Sequence, residues 1–512
     1  MSERIFEPPR PHRRWGVWSV SALAVLAVLA ALVVWGLGTL GSCGDGVEHA
    51  DGGECVGVTD GSYTFENMHG LSGRIRAEND KVATSGDPSV AIAYLEAMAG
   101  GSEDRGPEAT RQAVGGAYLA QRALNAERST LPKIRLLLAN TGRGDRQWEQ
   151  VVDQLIAMKD KEHLVAVAGF GQSNQRTMRA VERLRDAGIP MVGATVAADG
   201  LSSARAGFYR VSFPNREQTL AAARYLREQQ EKHPGYRVQV IRDGNEEDDY
   251  NTSLYDDFRA AKTRVGLAVD DEVIPFRSGE GEQATVGNAL SLVAEKVCGD
   301  PKPPDAVYFA GRGRELRRFI EAAGEGGRRC RTTVVSGSSA LGVYFDTGGN
   351  RHRDELARLA GQWQDSGLKV YYTAYTHPEI PKQVYGGAGS GPYADFERAY
   401  GREIGGPTAD LDSGQAMLGH DATYTIGKAA RSAVNVYGTR RVTPRMVLAM
   451  LEQTNGKARV RGVSGTISFD PDTGEPVDRP MALVELLRPT KEGEMRDTYR
   501  FVTALSADRP TS

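Results

Sequence analysis

Short apolar runs alternate with amphipathic stretches along most of the chain. The runs 90–95, 134–139 and 164–168 are almost entirely hydrophobic, which is typical of strands buried on both faces. Helical patterns over 109–125 and 147–159 separate them. Strands that alternate with helices predict βαβ units and a parallel sheet.

The alternation starts again after the segment 208–214, which we interpret as a crossing between two lobes. A third block, from residue 370, adds two helical patterns and a hairpin-like piece at 465–469. Helices are predicted over 216–232, 252–264, 286–297, 314–323, 414–437 and 443–454. Strands are predicted over 237–241, 272–276, 306–309 and 333–336. The sequence therefore predicts an α/β fold of two lobes, each a doubly wound parallel sheet, joined by a hinge that closes a cleft.

The N-terminal segment differs from the rest. Residues 1–14 are polar and contain four arginines, whereas residues 15–42 contain no charged residue. That run exceeds the roughly 20 residues that a helix needs to cross a bilayer. Trp15, Trp18 and Trp35 lie near its ends, and acidic residues follow it. We therefore predict a cytoplasmic tail, an uncleaved anchor over 15–42 and an extracytoplasmic remainder at the cell membrane.

Two alternatives to an anchor remain open. A cleaved signal peptide has an apolar core of roughly 7–15 residues, which is shorter than this run. The sequence Leu40-Gly41-Ser42-Cys43 resembles the lipobox that precedes a lipidated cysteine. The length of the run favours the anchor. Beyond it we predict a tether with an irregular collar over 43–89 and a two-lobed domain over 90–505, with lobe one at about 90–208 plus 373–475 and lobe two at about 209–372 plus 476–505.

The four cysteines bear on the choice between an anchor and a lipoprotein. An even count in an exported chain predicts two disulfides, and we expect Cys43–Cys55 and Cys298–Cys330. Free buried thiols are the alternative. A disulfide at Cys43 would exclude its lipidation. No Cys-x-x-Cys spacing and no histidine cluster is present, so we predict neither a metal site nor a cofactor.

Composition narrows the function classes. The chain of 512 residues is too long for one core, and its formal net charge is -3. No basic stripe indicates nucleic acid. The sequence has no Walker loop, no G-x-S-x-G and no H-E-x-x-H, and His163, His377 and His420 are isolated from one another. We therefore expect a binding protein and no enzyme.

Candidate ligand-binding residues occupy two neighbouring turns. Gly171, Gln172 and Ser173 lie between a strand and a helix N-terminus, where free N–H groups and the helix dipole favour an anion. Thr195 and Ala197 follow the next strand. Turns of this kind meet at the carboxyl edge of a parallel sheet, where ligands bind. Alternatively, Ser173 caps its helix and Thr195 is an ordinary turn residue.

Four segments resemble the type I periplasmic solute-binding proteins, and more narrowly the branched-chain amino acid-binding receptors of ABC importers. They are VAVAGFGQS at 165–173, GIPMVGAT at 188–195, LGHDATY at 418–424 and GVSGTISFD at 462–470. The resemblance covers about residues 90–502. It implies the two-lobed fold predicted above, with a small-molecule ligand in the cleft.

The resemblance also implies roles for single residues. Ser173 matches a serine that contacts the ligand carboxylate, Thr195 and Ala197 match a turn that contacts the ligand, and Tyr250 matches an aromatic residue that closes over it from lobe two. An ordinary packing tyrosine is the alternative for Tyr250. Ser338 stands where amino acid-binding relatives have an acid for the ligand ammonium.

The serine at position 338 leaves the ligand class open. Asp243 or Asp249 could substitute from a neighbouring loop, and a neutral polar or anionic ligand is as compatible as an amino acid. Arg312 follows a strand of lobe two and could reach the cleft, but we favour its interpretation as a solvated charge.

The function that follows is a membrane-tethered solute receptor that presents a small polar ligand to an ABC permease. A sensory ectodomain that reports ligand to a membrane partner without transport is the alternative. The tail of about 14 residues has no room for a signalling domain, so a sensor would need a partner. A ligand-free structural module is a third possibility.

Overall fold

A computed structural model gives the fold. It describes residues 42–50, 53–98, 105–127, 131–201, 207–279, 283–327, 329–344, 352–387, 389–406, 408–493 and 497–505. The predicted tail 1–14 and the predicted anchor 15–42, apart from Ser42, lie outside these residues. No helix within the described ranges is both long enough and apolar enough to cross a membrane.

Lobe one is built on an eight-stranded sheet. Its strands are β1 (Ser42–Gly44), β2 (Val47–His49), β3 (Cys55–Thr59), β4 (Ser89–Glu96), β5 (Lys133–Asn140), β6 (Leu164–Gly169), β7 (Met191–Gly193) and β8 (Phe208–Arg210). Their order is β1-β2-β3-β5-β4-β6-β7-β8. All pairs from β5 to β8 are parallel, and β1, β2 and β3 add an antiparallel edge. The helices that accompany this sheet are α1 (Leu71–Ser85), α2 (Pro107–Ala126), α3 (Trp148–Lys161) and α4 (Gln175–Asp186).

The region predicted as an irregular collar over 43–89 is part of this lobe, so that interpretation is wrong. β3 pairs with β5, α1 precedes β4, and Val47, Val56 and Val58 are buried in the lobe. The strands are three to five residues long. Runs this short carry too few apolar positions to show a strand period.

Lobe two is built on a seven-stranded mixed sheet. In chain order the lobe contains α5 (Asn215–Lys232), β9 (Val238–Asp243), α6 (Asp249–Val265), β10 (Val273–Phe276), α7 (Gln283–Cys298), β11 (Ala306–Ala310), α8 (Gly313–Gly324), β12 (Thr333–Ser336), α9 (His352–Ser366) and β13 (Lys369–Ala374). The sheet order is β10-β9-β11-β12-β13, followed by two C-terminal strands, Met481–Leu486 and Tyr499–Leu505. These two strands run antiparallel to their neighbours, so this sheet is less regular than the purely parallel one predicted.

The last part of the chain contributes helices to lobe one and strands to lobe two. It contains α10 (Glu379–Val384), α11 (Gly391–Glu403), α12 (Gln415–Tyr437), α13 (Pro444–Glu452), β14 (Val460–Arg461), β15 (Thr466–Ile467), β16 (Met481–Leu486) and β17 (Tyr499–Leu505). The helix α12 packs along α2 of lobe one, whereas β16 and β17 complete the sheet of lobe two. β14 and β15 form the small hairpin predicted near residue 465.

Two glycines set the distance between α2 and α12. A Cβ at Gly116 would collide with the backbone at Ala416, and a Cβ at Gly419 would collide with the carbonyl of Ala113. The two helices therefore cross in backbone contact, and only glycine fits at these positions. This crossing places Gln415, the first residue of α12, at the edge of the cleft.

Both predicted disulfides are present. Cys43 in β1 is joined to Cys55 in β3, with Cα atoms 6.0 Å apart, and Cys298 is joined to Cys330 with a Cα separation of 4.6 Å. The first connects the edge strands of lobe one. The second connects the end of α7 to the segment before β12 in lobe two.

Candidate functional site

A cleft lies between the carboxyl ends of the two sheets. About 70 Å³ of it can be reached by the centre of a water molecule. Lobe one and α12 contribute Arg105, Gly171, Gln172, Ser173, Thr195 and Gln415. Lobe two contributes Tyr250, Arg312, Gly313, Arg314, Glu315, Ser338, Ser339, Leu341, Gly342 and Tyr375. We call this space the inner chamber.

The structure brings together five of the six ligand-binding residues predicted from the sequence. Gln172, Ser173, Thr195, Tyr250 and Ser338 all line the inner chamber. Ala197 does not line it, and its buried N–H donates to the Ser173 hydroxyl instead. Ala197 therefore supports the turn that carries Ser173.

Ser173 connects the two turns of lobe one. Its Oγ accepts hydrogen bonds from the N–H groups of Ala197 at 2.8 Å and Ala198 at 3.0 Å. It is not the helix cap, because Asn174 holds that position and accepts from the N–H of Thr177 at 2.9 Å. The hydroxyl of Ser173 thus fixes the wall of the chamber.

The neighbouring groups of lobe one are also held by the protein. The Thr195 hydroxyl donates to the carbonyl of Gly171 at 2.8 Å, and the Tyr375 hydroxyl donates to the carbonyl of Thr195 at 3.2 Å. Phe170 has a φ of 67°, which is rare for a bulky residue. Strain of this kind is tolerated where the fold over-determines it, often beside a binding site.

Arg312 bridges the two lobes. Its Nε donates to Asp248 Oδ2 at 2.5 Å and its Nη2 to Asp248 Oδ1 at 2.8 Å, and the same Nη2 donates to the carbonyl of Ser173 at 2.7 Å. The guanidinium also lies 4.9 Å from the centre of the Tyr250 ring. The interpretation of Arg312 as a solvated charge is therefore wrong, because the end of β11 faces the opposite lobe.

Tyr250 and Ser338 form part of the lobe-two wall. The Tyr250 hydroxyl accepts from the N–H of Ser339 at 3.0 Å, and the N–H of Ser338 donates to Gln218 Oε1 at 2.8 Å. Burial raises the pKa of Tyr250 and that of Tyr375. Both phenols are consequently neutral at physiological pH.

Sequence reasoning missed Arg105 and its partners. Arg105 Nε donates to Glu96 Oε1 at 3.1 Å, and the same guanidinium contacts Gln415. Thr110 also donates to Glu96 Oε1, at 2.9 Å. An available signal was Glu96 itself, which ends an otherwise apolar strand at the carboxyl edge of the sheet.

Arg314 and Glu315 were missed as well. Arg314 Nε donates to Glu315 Oε1 at 2.8 Å, and the Glu315 side chain is only 1% exposed. Arg314 Nη1 is buried and has no hydrogen-bond partner within the described part of the chain. A buried donor without an acceptor is costly, so this atom indicates where a ligand acceptor would lie.

Asp243 and Asp249, which were proposed to supply the carboxylate that is absent at Ser338, do not line the inner chamber. Asp243 is buried, and it accepts from Ser278 Oγ at 2.5 Å and from Asn251 Nδ2 at 2.8 Å. Burial raises its pKa to about 6. Asp249 lies in the first turn of α6. Asp243 therefore holds loops of lobe two together through these hydrogen bonds.

An outer chamber continues from the inner one toward solvent. The two share Gln172, Arg312, Arg314 and Glu315, and the outer chamber adds polar residues from both lobes. Those polar residues are Asn174, Gln175, Arg176, Arg179, Asn245, Glu247, Asp248 and Ser278. The outer chamber is therefore a largely polar space that adjoins the inner one.

The histidines and cysteines lie elsewhere. His163, His377 and His420 do not line either chamber. Cys43, His49 and Cys55 are the one group in the described ranges with the spacing of metal ligands. Their two sulfurs are joined in a disulfide, and a ligating cysteine must be a free thiolate.

The fold is that of ABC importer solute-binding proteins. A leucine-binding protein of Thermotoga maritima aligns over 82% of this chain and 99% of its own, with a TM-score of 0.57 and 20% identity. A Streptococcus pneumoniae branched-chain amino acid-binding protein in complex with isoleucine aligns over 81% and 99%, with a TM-score of 0.57 and 18% identity. An R. palustris solute-binding protein in complex with 4-hydroxybenzoate aligns over 81% and 96%, with a TM-score of 0.58 and 14% identity.

These likenesses confirm, at the level of fold, the resemblance seen in the sequence. No protein-family model and no curated protein matches the chain. The structural neighbours bind branched-chain amino acids in some cases and an aromatic acid in another.

Proposed function

We propose that the chain is an extracytoplasmic solute receptor that captures a small polar ligand between its lobes and presents it to an ABC permease. The observation that carries the proposal is the inner chamber itself. Its walls are the turns at the carboxyl ends of both sheets, and Arg312 joins the lobes across it. Such a cleft can close around a solute when the lobes rotate about their connections.

The proposed mode of attachment is the anchor over 15–42. The disulfide with Cys55 uses the sulfur of Cys43, and lipidation would need that same sulfur. The lipoprotein alternative is therefore disfavoured. The charge distribution around the anchor supports a cytoplasmic N-terminus and an extracytoplasmic cleft.

The chamber supports binding better than catalysis. The hydroxyls of Ser173 and Thr195 are both engaged with backbone groups of lobe one, and among its described lining residues there is no histidine or cysteine. A nucleophile needs a base within hydrogen-bond reach. We infer that the ligand leaves the site chemically unchanged.

Thermal unfolding of the full-length chain with a panel of solutes tests the proposal. A ligand that binds only the folded state stabilises it by about 2.7 kcal/mol at a hundredfold excess over its dissociation constant. We expect a saturable rise in melting temperature with one chemical class among amino acids, carboxylates, sugars and nucleosides. No shift with any class would contradict a receptor.

Uptake by cells that lack the chain separates transport from sensing. An importer receptor predicts that uptake of the solute found in the panel falls when the chain is deleted. Binding with unchanged uptake would instead support a sensory ectodomain that acts through a membrane partner.

A further inference from the structure

We infer that the ligand of the inner chamber is a small organic carboxylate with an apolar or aromatic body, and that the chamber selects against α-amino acids. The inference rests on the proposed function and specifies its ligand class. It follows from the distribution of charge and hydrogen-bond partners in the chamber.

Cationic side chains dominate the chamber wall. Arg105, Arg312 and Arg314 line it, whereas Glu315 is the one carboxylate among the described lining residues. Glu315 already accepts a hydrogen bond from Arg314 at 2.8 Å. Because Arg105 and Arg312 are likewise paired with Glu96 and Asp248, the wall offers an anion the N–H donor of Arg314 that is free within the described ranges, and not a net positive charge.

The acid behind Arg312 has both carboxylate oxygens occupied. Asp248 Oδ1 accepts from the N–H groups of Tyr250 and Asn251 and from Arg312, and Oδ2 accepts from Arg312. An acid whose oxygens are filled in this way cannot take an ammonium without losing a partner.

The acid behind Arg105 is shielded from the chamber. Gly171 covers the Glu96 side chain so closely that a Cβ at position 171 would lie 2.9 Å from Glu96 Cγ. Glu96 is 3% exposed and does not line the chamber. Its Oε2 has no hydrogen-bond partner in the described ranges but is buried behind Gly171. Glu315, the carboxylate that does line the chamber, is paired with Arg314. An α-ammonium would have to compete with a guanidinium for that carboxylate, so the chamber disfavours an α-amino acid.

The donors suit a carboxylate. Arg314 Nε is fixed by Glu315, which leaves the buried Nη1 with its hydrogens directed at no protein acceptor in the described ranges. Planar guanidinium donors match a carboxylate in geometry and charge. The helices α4 and α8 begin at Gln175 and Gly313, beside the chamber. The dipoles of these helices add to the attraction for an anion.

The rest of the chamber suits an apolar body. Tyr250, Leu341 and Tyr375 line it, and burial keeps both phenols neutral. Aromatic rings pack favourably against such walls. The combination of guanidinium donors and neutral aromatic walls points to a carboxylate carried on an apolar or ring skeleton.

Matched pairs of compounds test the inference on the full-length chain. Each pair shares a skeleton with and without the α-ammonium group: leucine with 4-methylpentanoate, and tyrosine with 3-(4-hydroxyphenyl)propanoate. Benzoate and 4-hydroxybenzoate complete the set. We expect a saturable rise in melting temperature with at least one ammonium-free carboxylate and none with its amino acid partner.

The outcomes separate this inference from the function on which it rests. Stabilisation by an amino acid at lower concentration than by its ammonium-free partner would overturn the ligand class and leave the receptor proposal intact. Stabilisation by sugars or nucleosides alone would do the same. No stabilisation by any of these classes would contradict both proposals.

A charge-removing variant tests whether Arg314 takes up the carboxylate. Arg314→Met keeps the length of the side chain, and we expect affinity for the bound carboxylate to fall about ten- to hundredfold, as for loss of a charged hydrogen bond. The matched control is Arg318→Met, on the same helix but outside both chambers, which should bind as the native chain does. Equal affinity of the two variants would contradict the role of Arg314.

Discussion

The two lobes share an architecture and differ in the chemistry they present to the cleft. In lobe one, the polar groups of Ser173 and Thr195 are engaged in hydrogen bonds with the backbone of adjacent turns. In lobe two, Arg312, Arg314 and Glu315 carry charge into the cleft. Lobe one therefore provides a wall that is fixed by its own hydrogen bonds and has Arg105 as its charged lining residue, and lobe two provides the other charged groups.

Because of this difference, the side chains of one wall contribute mainly to the stability of the fold and those of the other mainly to ligand binding. A group that is satisfied within its own lobe contributes to folding whether or not a ligand is present. A buried donor such as Arg314 Nη1, which has no acceptor among the described residues, contributes only when a ligand supplies one. Substitutions in the two walls should consequently have different signatures, and the following four predictions test how far the lobes differ.

The largest expected effect concerns the disulfides, because each lobe contains one. Their loops span 32 residues in lobe two and 12 in lobe one, and the chain-entropy relation assigns them about 4 and 3 kcal/mol. Replacing Cys298 and Cys330 with alanine should lower the free energy of unfolding more than replacing Cys43 and Cys55. Denaturant unfolding measures both, and nonreducing peptide mapping should show each pair linked in the native chain. A larger loss from the lobe-one pair would contradict this ranking.

Arg312→Met should have the next largest effect. The Arg312 and Asp248 side chains are 14% and 16% exposed, and loss of one partner from a mostly buried ion pair costs about 3 kcal/mol. Because Arg312 also contacts the Ser173 carbonyl across the cleft, ligand should dissociate faster as well. The control Arg227→Met removes an exposed i,i+4 pair with Glu231 and should cost less than about 0.5 kcal/mol. Similar losses from both variants would show that Arg312 is an ordinary surface charge.

Ser173→Ala tests the fixed wall of lobe one. The change leaves the N–H groups of Ala197 and Ala198 without the Oγ that they share, so we expect a loss of about 2 kcal/mol of stability together with weaker binding. Ser339→Ala is the matched change in lobe two, where the hydroxyl accepts only a long 3.4 Å bond from the N–H of Gly313. It should change stability by less than about 0.5 kcal/mol. Weaker binding by Ser173→Ala with unchanged stability would mean that the hydroxyl serves the ligand alone.

The fold could be predicted from the sequence because its central strands are long apolar runs. β4 and β11 are buried at nearly every position, as strands covered on both faces are. The edge strands β1, β2 and β3 escaped prediction because each is five residues or shorter. The antiparallel β16 and β17 also escaped, because the direction in which a strand pairs leaves no mark in its own sequence.

The site could be predicted only where a turn follows a strand with a recognisable pattern. Gln172, Ser173 and Thr195 lie in such turns, and all three line the chamber. Arg105 and Gln415 come from segments 310 residues apart that meet through the packing of α2 on α12. The sequence could not reveal this contact between Arg105 and Gln415. It also could not show whether a charged side chain such as Arg312 faces water or the opposite lobe.

The smallest expected effect comes from a carboxyl pair where the lobes meet. Asp257 in α6 of lobe two lies beside Asp199, which follows β7 in lobe one, and Arg216 and Asp256 are the other charged groups around it. Burial, together with repulsion from Asp199, raises the pKa of Asp257. The folded state therefore holds its proton more tightly than the unfolded state does. Its contribution to stability is fully present below pH 4 and is lost as the pH rises through the neutral range.

Asp257→Asn should remove this loss, because the amide has no proton to release in that range. We expect the variant to be more stable than the native chain by on the order of 1 kcal/mol at pH 8 and equal to it at pH 4. Thermal unfolding at pH 4, 6 and 8 measures the difference, and Asp395→Asn, at an exposed side chain in another part of the chain, is the control that should show no such dependence. A constant difference at all three pH values would mean that the pair does not titrate. A difference that grows with pH would show that acid strengthens this contact between carboxyl groups of the two lobes.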